Sequence, residues 1–224
     1  LPELPALGLE QDPVHRHKDV LAHTIAVVEK TSRDRILRLA ALLHDIGKPK
    51  TRAIGPEGVS FHHHEVVGAR MARERMQALH YSSADIDAVC RLVELHLRFH
   101  TYRMGWSDSA IRRYVRDAGP LLDRLNELTR CDCTTRNKAK ARELDQRMDQ
   151  LEGDIARLRH QEELDAIRPD LDGSQVMAQL GITPGRDVGE ALAFLLELRL
   201  EEGPLGEDEA RRRLQTWWEA RVSP

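Results

Sequence analysis

Leu39-Ala40-Ala41-Leu42-Leu43-His44-Asp45-Ile46-Gly47-Lys48-Pro49 decides how the rest of this chain is read. Leu39, Leu42 and Leu43 recur at helical spacing, Gly47 is the type of residue with which a helix leaves in the left-handed conformation, and Pro49 keeps it from resuming. His44 and Asp45 are therefore placed on the last turn of an apolar helix. At such an end an imidazole nitrogen and a carboxylate oxygen can converge on one divalent ion, because the departing backbone clears the space. The plainer alternative is a histidine favoured by the helix dipole beside an ordinary polar aspartate.

Working outward, four more metal-competent side chains fall at places that a helical fold can bring together. His23 lies on the preceding helix, His64 opens a later one, His96 lies late on the next, and Asp132 follows an apolar helix between two cysteines. Each alone has a dull explanation as a core histidine or a capping aspartate. Together they make a mixed nitrogen and oxygen set suited to a six-coordinate divalent ion such as manganese, iron, cobalt, nickel or magnesium. His15, His17, His62, His63 and His100 are surplus to that set, and His96 with His100 lacks the neighbouring Glu of an H-E-x-x-H zinc pair. Lys48 and Arg98 read as phosphate contacts near the ion.

The expected architecture is all-α: a helical bundle with one small β-hairpin, then a long helix and a helical tail. Helices are expected over about 19–30, 34–45 and 64–79, with Ser83 capping the next, and further ones from Ser107 or Asp108 to Gly119-Pro120 and on to Asp132. Thr51–Ile54 and Val59–Phe61 flank the turn composition Gly55-Pro56-Glu57-Gly58, which supplies the hairpin. Leu144, Met148, Leu151, Ile155 and Leu158 form a heptad seam in a charged background, predicting a long helix that Arg168-Pro169 ends. Three shorter helices are expected after it.

In 224 residues, charged types make up 32% and aromatics 4%, a balance that favours helix over strand. With a net charge of −3 and a pI near 6.4, the whole chain presents no basic field to nucleic acid, so any such contact must be local. Arg130, Arg136, Lys138, Lys140, Arg142 and Arg147 cluster at the start of the long helix as a phosphate-tracking strip would, or as a solvated face paired with Glu143, Asp145 and Asp149. No apolar run of about 18 residues and no export pattern is present, so a cytoplasmic protein without a membrane partner is expected. Cys90, Cys131 and Cys133 are odd in number and read as thiols.

These residues resemble the signature H…HD…D of the HD superfamily of metal-dependent phosphohydrolases, carried by His23 in Ala22-His23-Thr24-Ile25, by the pair His44-Asp45, and by Asp132. In that resemblance His64 and His96 match the positions with which subgroups hold a second ion. More narrowly, Phe61-His62-His63-His64-Glu65, His96-Leu97-Arg98-Phe99-His100, the run from Thr129 to Asn137 and Arg168-Pro169-Asp170-Leu171-Asp172-Gly173 are similar to the C-terminal part of bacterial, actinobacterial-like CCA-adding tRNA nucleotidyltransferases of the poly(A) polymerase-like type. The implied organisation is a connector over 1–16 to a nucleotidyltransferase head, an HD domain over 17–133, a connecting helix over 134–168 and a tRNA-facing tail over 169–224. The Gly-Ser motif and Asp-x-Asp metal site of that head are absent here; Asp85-Ile86-Asp87 and Asp170-Leu171-Asp172 share the spacing alone. The resemblance implies hydrolysis of phosphomonoesters or 2′,3′-cyclic phosphates, with Asp45 and His44 at the chemistry, Lys48 or Arg98 on the phosphate, and Arg130, Arg136, Lys138 and Lys140 on tRNA. The implied partners are the 3′ end and elbow of tRNA and phosphorylated nucleotides. The competing implications are a tRNA-binding module with an inactive site and a stand-alone nucleotide phosphohydrolase.

Overall fold

In the computed structural model, which describes residues 1–8, 19–56, 58–102, 105–135 and 137–222, the decisive stretch begins as helix α2 (Arg35–Leu43). Asp34 caps it, its carboxylate accepting the Leu37 N–H at 2.8 Å, and Leu37, Ala40, Ala41 and Leu43 are buried. The expected exit through a left-handed glycine is not what happens. Gly47 has φ −77° and ψ −20°, an ordinary helical conformation, and the chain tightens through i→i+3 bonds such as Ile46 N–H to Leu43 O at 3.2 Å. The need for glycine is steric: a Cβ at Gly47 would lie 2.3 Å from the His64 carbonyl oxygen and 2.8 Å from the Gly68 nitrogen. Pro49 likewise does not stop the helix. It sits in the first turn of α3 (Lys48–Thr51), where a missing N–H costs no intrahelical bond.

Around this stretch stand α1 (Val20–Lys30), the antiparallel hairpin β1 (Arg52–Gly55) and β2 (Gly58–Phe61), α4 (His64–Ala78), α5 (Ser83–Leu95), α6 (Asp108–Ala118) and α7 (Leu122–Asp132). Arg52 pairs with Phe61 and Gly55 with Gly58, and this is the only sheet among the described residues. The α5 cap is Ser82 rather than Ser83, because Ser82 keeps extended backbone while its hydroxyl accepts the Asp85 N–H at 3.2 Å. Then come α8 (Lys138–Gln161), α9 (Gly173–Leu180), α10 (Arg186–Glu202) and α11 (Glu207–Val222). The long helix therefore ends at Gln161, before Arg168-Pro169, and the next carboxylate, Glu162, is drawn between two buried arginines.

The chain divides into two compact units, residues 1–103 with 118–150 and residues 104–117 with 151–224. In the first, α2 packs against α1, α5 and α7, and α4 lies along α5. Apolar side chains such as Val27, Leu37, Leu92, Val93 and Leu125 close this core completely. The N-terminal stretch docks on the same unit through fully buried Leu7 and a Glu3–Arg75 ion pair at 2.5 Å. In the second unit, Leu171, Val176, Ala191, Leu195, Ala210 and Leu214 form a separate core, with Phe194 stacked on Trp217 at 4.9 Å. There Glu162 accepts from Arg112 at 2.9 Å and from Arg199, a buried pairing that leaves no guanidinium bare.

Both Asp-x-Asp pairs are occupied by the fold. Asp85 holds Arg35 at 2.8 Å and Asp87 holds Arg73 at 2.8 Å. Asp172 caps α9 in a capping box with Gln175, and Asp170 accepts the Leu205 N–H at 3.3 Å.

Candidate metal centre

Six side chains that the sequence singled out are brought together in the first unit, and most sit where a helix starts or stops. His44 and Asp45 follow the last residue of α2, His96 is the C-cap of α5, His64 opens α4 and Asp132 closes α7; only His23 projects from within a helix, α1. His23 Nε2 lies 2.8 Å from Asp132 Oδ1, 3.2 Å from His44 Nε2 and 3.5 Å from Asp45 Oδ2. Asp45 faces both ways. Its Oδ2 is 3.2 Å from His44 Nε2, while Oδ1 is 3.3 Å from His64 Nε2 and 4.0 Å from His96 Nε2.

The orientation of the rings has a local cause. Nδ1–H of His44 donates to Ala41 O at 2.7 Å, that of His64 to Phe61 O at 2.8 Å and that of His96 to Val93 O at 2.6 Å, each three residues back. A carbonyl only accepts, so each of these Nδ1 atoms carries the hydrogen and the Nε2 atom points at the cluster. This is how imidazoles are aimed at metal ions. Two of the Nε2 atoms, those of His64 and His96, are buried and have no hydrogen-bond partner. A buried lone pair without a donor costs about 1–3 kcal/mol, and in a native structure it calls for an ion or a water. Nε2 atoms and carboxylate oxygens in two overlapping groups, His23 with His44 and Asp45, and Asp45 with His64 and His96, fit divalent transition ions or magnesium in six-fold coordination.

Electrostatics agree with a site built for positive charge. Burial opposes a charge on His44, but Asp45 and Asp132 overcome it and raise its imidazole to about 10. Burial and then the charge on His44 push His96 down to about 3. Burial also opposes ionisation of Asp45 and Asp132, yet the imidazoles around them hold both carboxyls well below the usual range.

Lys48 reaches back to Asp45 Oδ2 at 2.7 Å with its ammonium 5.6 Å from the Phe61 ring centre, so it lies at the cluster. Arg98 is exposed on the short turn after His96 and is not brought to the cluster by any contact that fixes its position. Two neighbours were not predicted. Thr134 Oγ1 lies 2.8 Å from His23 Nδ1, and His100, half-exposed, places Nε2 4.0 Å from Asp132 Oδ2. Together with His23, Asp132, Thr129, Cys133, Thr135 and Leu144 they line a cleft of about 240 Å³ that opens beside the cluster. The His100 spacing was visible in the sequence but was tested only as a zinc motif; a lone threonine carries no such signal.

Of the basic strip, Lys138 and Lys140 are exposed on the first turn of α8, where Asn137 Oδ1 accepts the Ala139 N–H at 2.9 Å. Arg130 is tied to Asp149 at 2.7 Å, and Arg147 leaves the strip altogether, donating to Tyr102 O and stacking on Phe99 at 5.1 Å. Arg136, like His15 and His17, lies outside the described residues.

A helical bundle that gathers His23, His44-Asp45 and Asp132 around one point defines a class, and the HD domain family model matches residues 20–158: the chain belongs to the HD domain family. Within it, the chain is similar to the A-adding tRNA nucleotidyltransferase of Deinococcus radiodurans, 35% identical over 231 aligned positions that take in 98% of this chain and 51% of that protein. It is also 34% identical over 229 positions to the CC-adding tRNA nucleotidyltransferase of Thermus thermophilus, covering 97% of this chain and 49% of the relative. The chain thus spans about half the length of the curated relatives it matches.

Proposed function

We propose that the cluster is a live metal-dependent phosphohydrolase centre that removes phosphate from tRNA 3′ ends, opening 2′,3′-cyclic phosphates or cleaving terminal phosphomonoesters. The observation that carries this reading is the pair of buried, unpartnered Nε2 atoms of His64 and His96 facing the same carboxylate as His23 and His44. A fossil site would have no reason to keep them unsatisfied. His23, His44, Asp45 and Asp132 would hold the first ion, with His64 and His96 available to a second through Asp45. When bound, a divalent ion there supplies Lewis-acid polarisation of a phosphoryl oxygen and acidifies water.

The chain's own residues do the rest. Asp45, fixed between four imidazoles and Lys48, orients the attacking water, and the Lys48 ammonium offsets charge gathering on the non-bridging oxygens. Substrate approaches from the side of His23 and Asp132, because His64 and His96 are closed off on the other. Among the described residues no lysine or arginine lines that cleft, which suits a single sugar or base and disfavours a polyphosphate tail. The names of the relatives, which add A or CC to tRNA, support tRNA as the carrier of the phosphate. In this reading residues 17–133 are the hydrolase, 134–168 connect, 169–224 face tRNA, and nucleotide addition belongs to a head outside this sequence.

Asp45→Asn tests the proposal. It keeps the shape but removes the anionic ligand, so hydrolysis of a 2′,3′-cyclic nucleotide and metal content should both fall while the helical signal stays. Retained hydrolysis in the variant, or no metal in the parent protein, would leave only a tRNA-binding module.

A further inference from the structure

Three histidines of the cluster are fixed by a backbone carbonyl, and His23 is the exception: its Nδ1 faces the hydroxyl of Thr134 at 2.8 Å. A carbonyl can only accept. A hydroxyl can accept or donate by turning about one bond. The distinction matters because His23 has two incompatible duties. In the structure its Nε2 stands 2.8 Å from Asp132 Oδ1, a carboxylate oxygen that accepts only, so this nitrogen carries the hydrogen and Nδ1 presents its lone pair. Nδ1 then needs a donor, which the Thr134 hydroxyl supplies. To ligate an ion, Nε2 must present the lone pair instead, Nδ1 must carry the hydrogen, and Nδ1 needs an acceptor.

We propose that Thr134 is a positioning residue whose hydroxyl reverses its role, donating to His23 in the metal-free protein and accepting from it when an ion is held, so that one ring serves both states without losing a hydrogen bond. The ring carries a single proton throughout: Nε2 gives one up to solvent, Nδ1 takes one up, and the charge of the imidazole is unchanged. Thr134 stands two residues after Asp132, so the loop leaving α7 supplies one ligand and the support of another. The inference rests on the metal-centre reading above.

Its test uses Zn²⁺, a diamagnetic probe, with the full chain. Thr134→Val removes the hydroxyl at nearly constant volume and should weaken Zn²⁺ affinity about 10–100-fold, as loss of an outer-shell partner does. Thr134→Ser should restore affinity to within about threefold of the parent, which a merely packed methyl group would not explain. Nitrogen chemical shifts of the histidines give the second readout: in the parent protein His23 Nδ1 should be unprotonated without metal and protonated with it. Protonated Nδ1 in both states, or a valine variant that binds Zn²⁺ as the parent does, overturns the role of Thr134. A parent that binds no Zn²⁺ but shows unprotonated Nδ1 on His23 overturns the metal-centre reading and leaves the donor half of the Thr134 assignment standing.

Discussion

Replacing Gly47 with alanine tests whether the joint between α2 and α4 sets the site. The added Cβ would stand 2.3 Å from the His64 carbonyl oxygen and 2.8 Å from the Gly68 nitrogen, both backbone atoms of a long helix that cannot rotate aside. Against an ordinary contact of about 3.5 Å the shortfall is about 1 Å, so α4 must back away from the turn that carries His44 and Asp45. Forcing a methyl group into a packed interior costs about 1–3 kcal/mol, and rigid neighbours put this case at the upper end. For a chain of this size that corresponds to a melting temperature lower by about 6–12 °C. His64 rides on the displaced helix, so the shift also spreads the ligands, and a misplacement of about 1 Å is worth about 100-fold in rate. Circular dichroism melts, with bound metal and cyclic-nucleotide hydrolysis measured on the same samples, give the answer. Gly153→Ala in α8, where no atom lies within 4 Å of the new Cβ, is the control; it should be neutral or stabilise by about 1 kcal/mol. A Gly47→Ala protein that melts with its parent and keeps its metal would refute the steric argument.

Metal uptake at pH 7 should release about one proton per ion, because His44, raised to about 10 by Asp45 and Asp132, must give up its Nε2 hydrogen; titration calorimetry in buffers of different ionisation heat counts it. The sign follows from linkage: with its folded value above the ordinary 6.5, His44 stabilises the metal-free chain fully below that pH and loses the effect as pH rises through about 10, while metal affinity climbs over the same window. Glu162→Gln would leave Arg112 and Arg199 buried with a neutral partner and should cost about 3–5 kcal/mol, read as a lower urea midpoint; an unchanged midpoint would mean that the second unit does not depend on this carboxylate. If Lys138 and Lys140 track phosphates, changing both to Gln flattens the slope of log affinity for tRNA against log salt by about two units. An unchanged slope would make them a solvated helix face.

Much of this molecule is legible from local patterns, since most of its helices are amphipathic and their caps are sequence-local. Asp34 and Asp172, and the 3.6-residue spacing of Leu37, Ala40 and Ala41, announce their elements without tertiary knowledge. What local patterns miss is what a residue meets in space. Gly47 reads as a helix exit because glycine usually ends helices by adopting positive φ, yet here it is small for the sake of His64 and Gly68, twenty residues away. Arg147 reads as one more cation in a basic run, but Phe99 and the Tyr102 carbonyl claim it. Thr134 and His100 have no pattern around them at all, and only the meeting of α1 with the end of α7 gives them a place beside the cluster.

The bonds from His44 to Ala41 O and from His96 to Val93 O use carbonyls that the last turn of a helix leaves without an N–H partner. One bond therefore finishes the helix and aims the ring. It follows that helix length is the variable that addresses this centre. Inserting a single residue into α2 or α5 would turn everything beyond it by about 100° and carry it about 1.5 Å along the axis, sending the imidazole elsewhere while every composition, cap and apolar stripe stayed as before. Natural variation in length should accordingly gather in the hairpin tip and in the stretch before α6, and spare the two helices whose last turns end at His44 and His96.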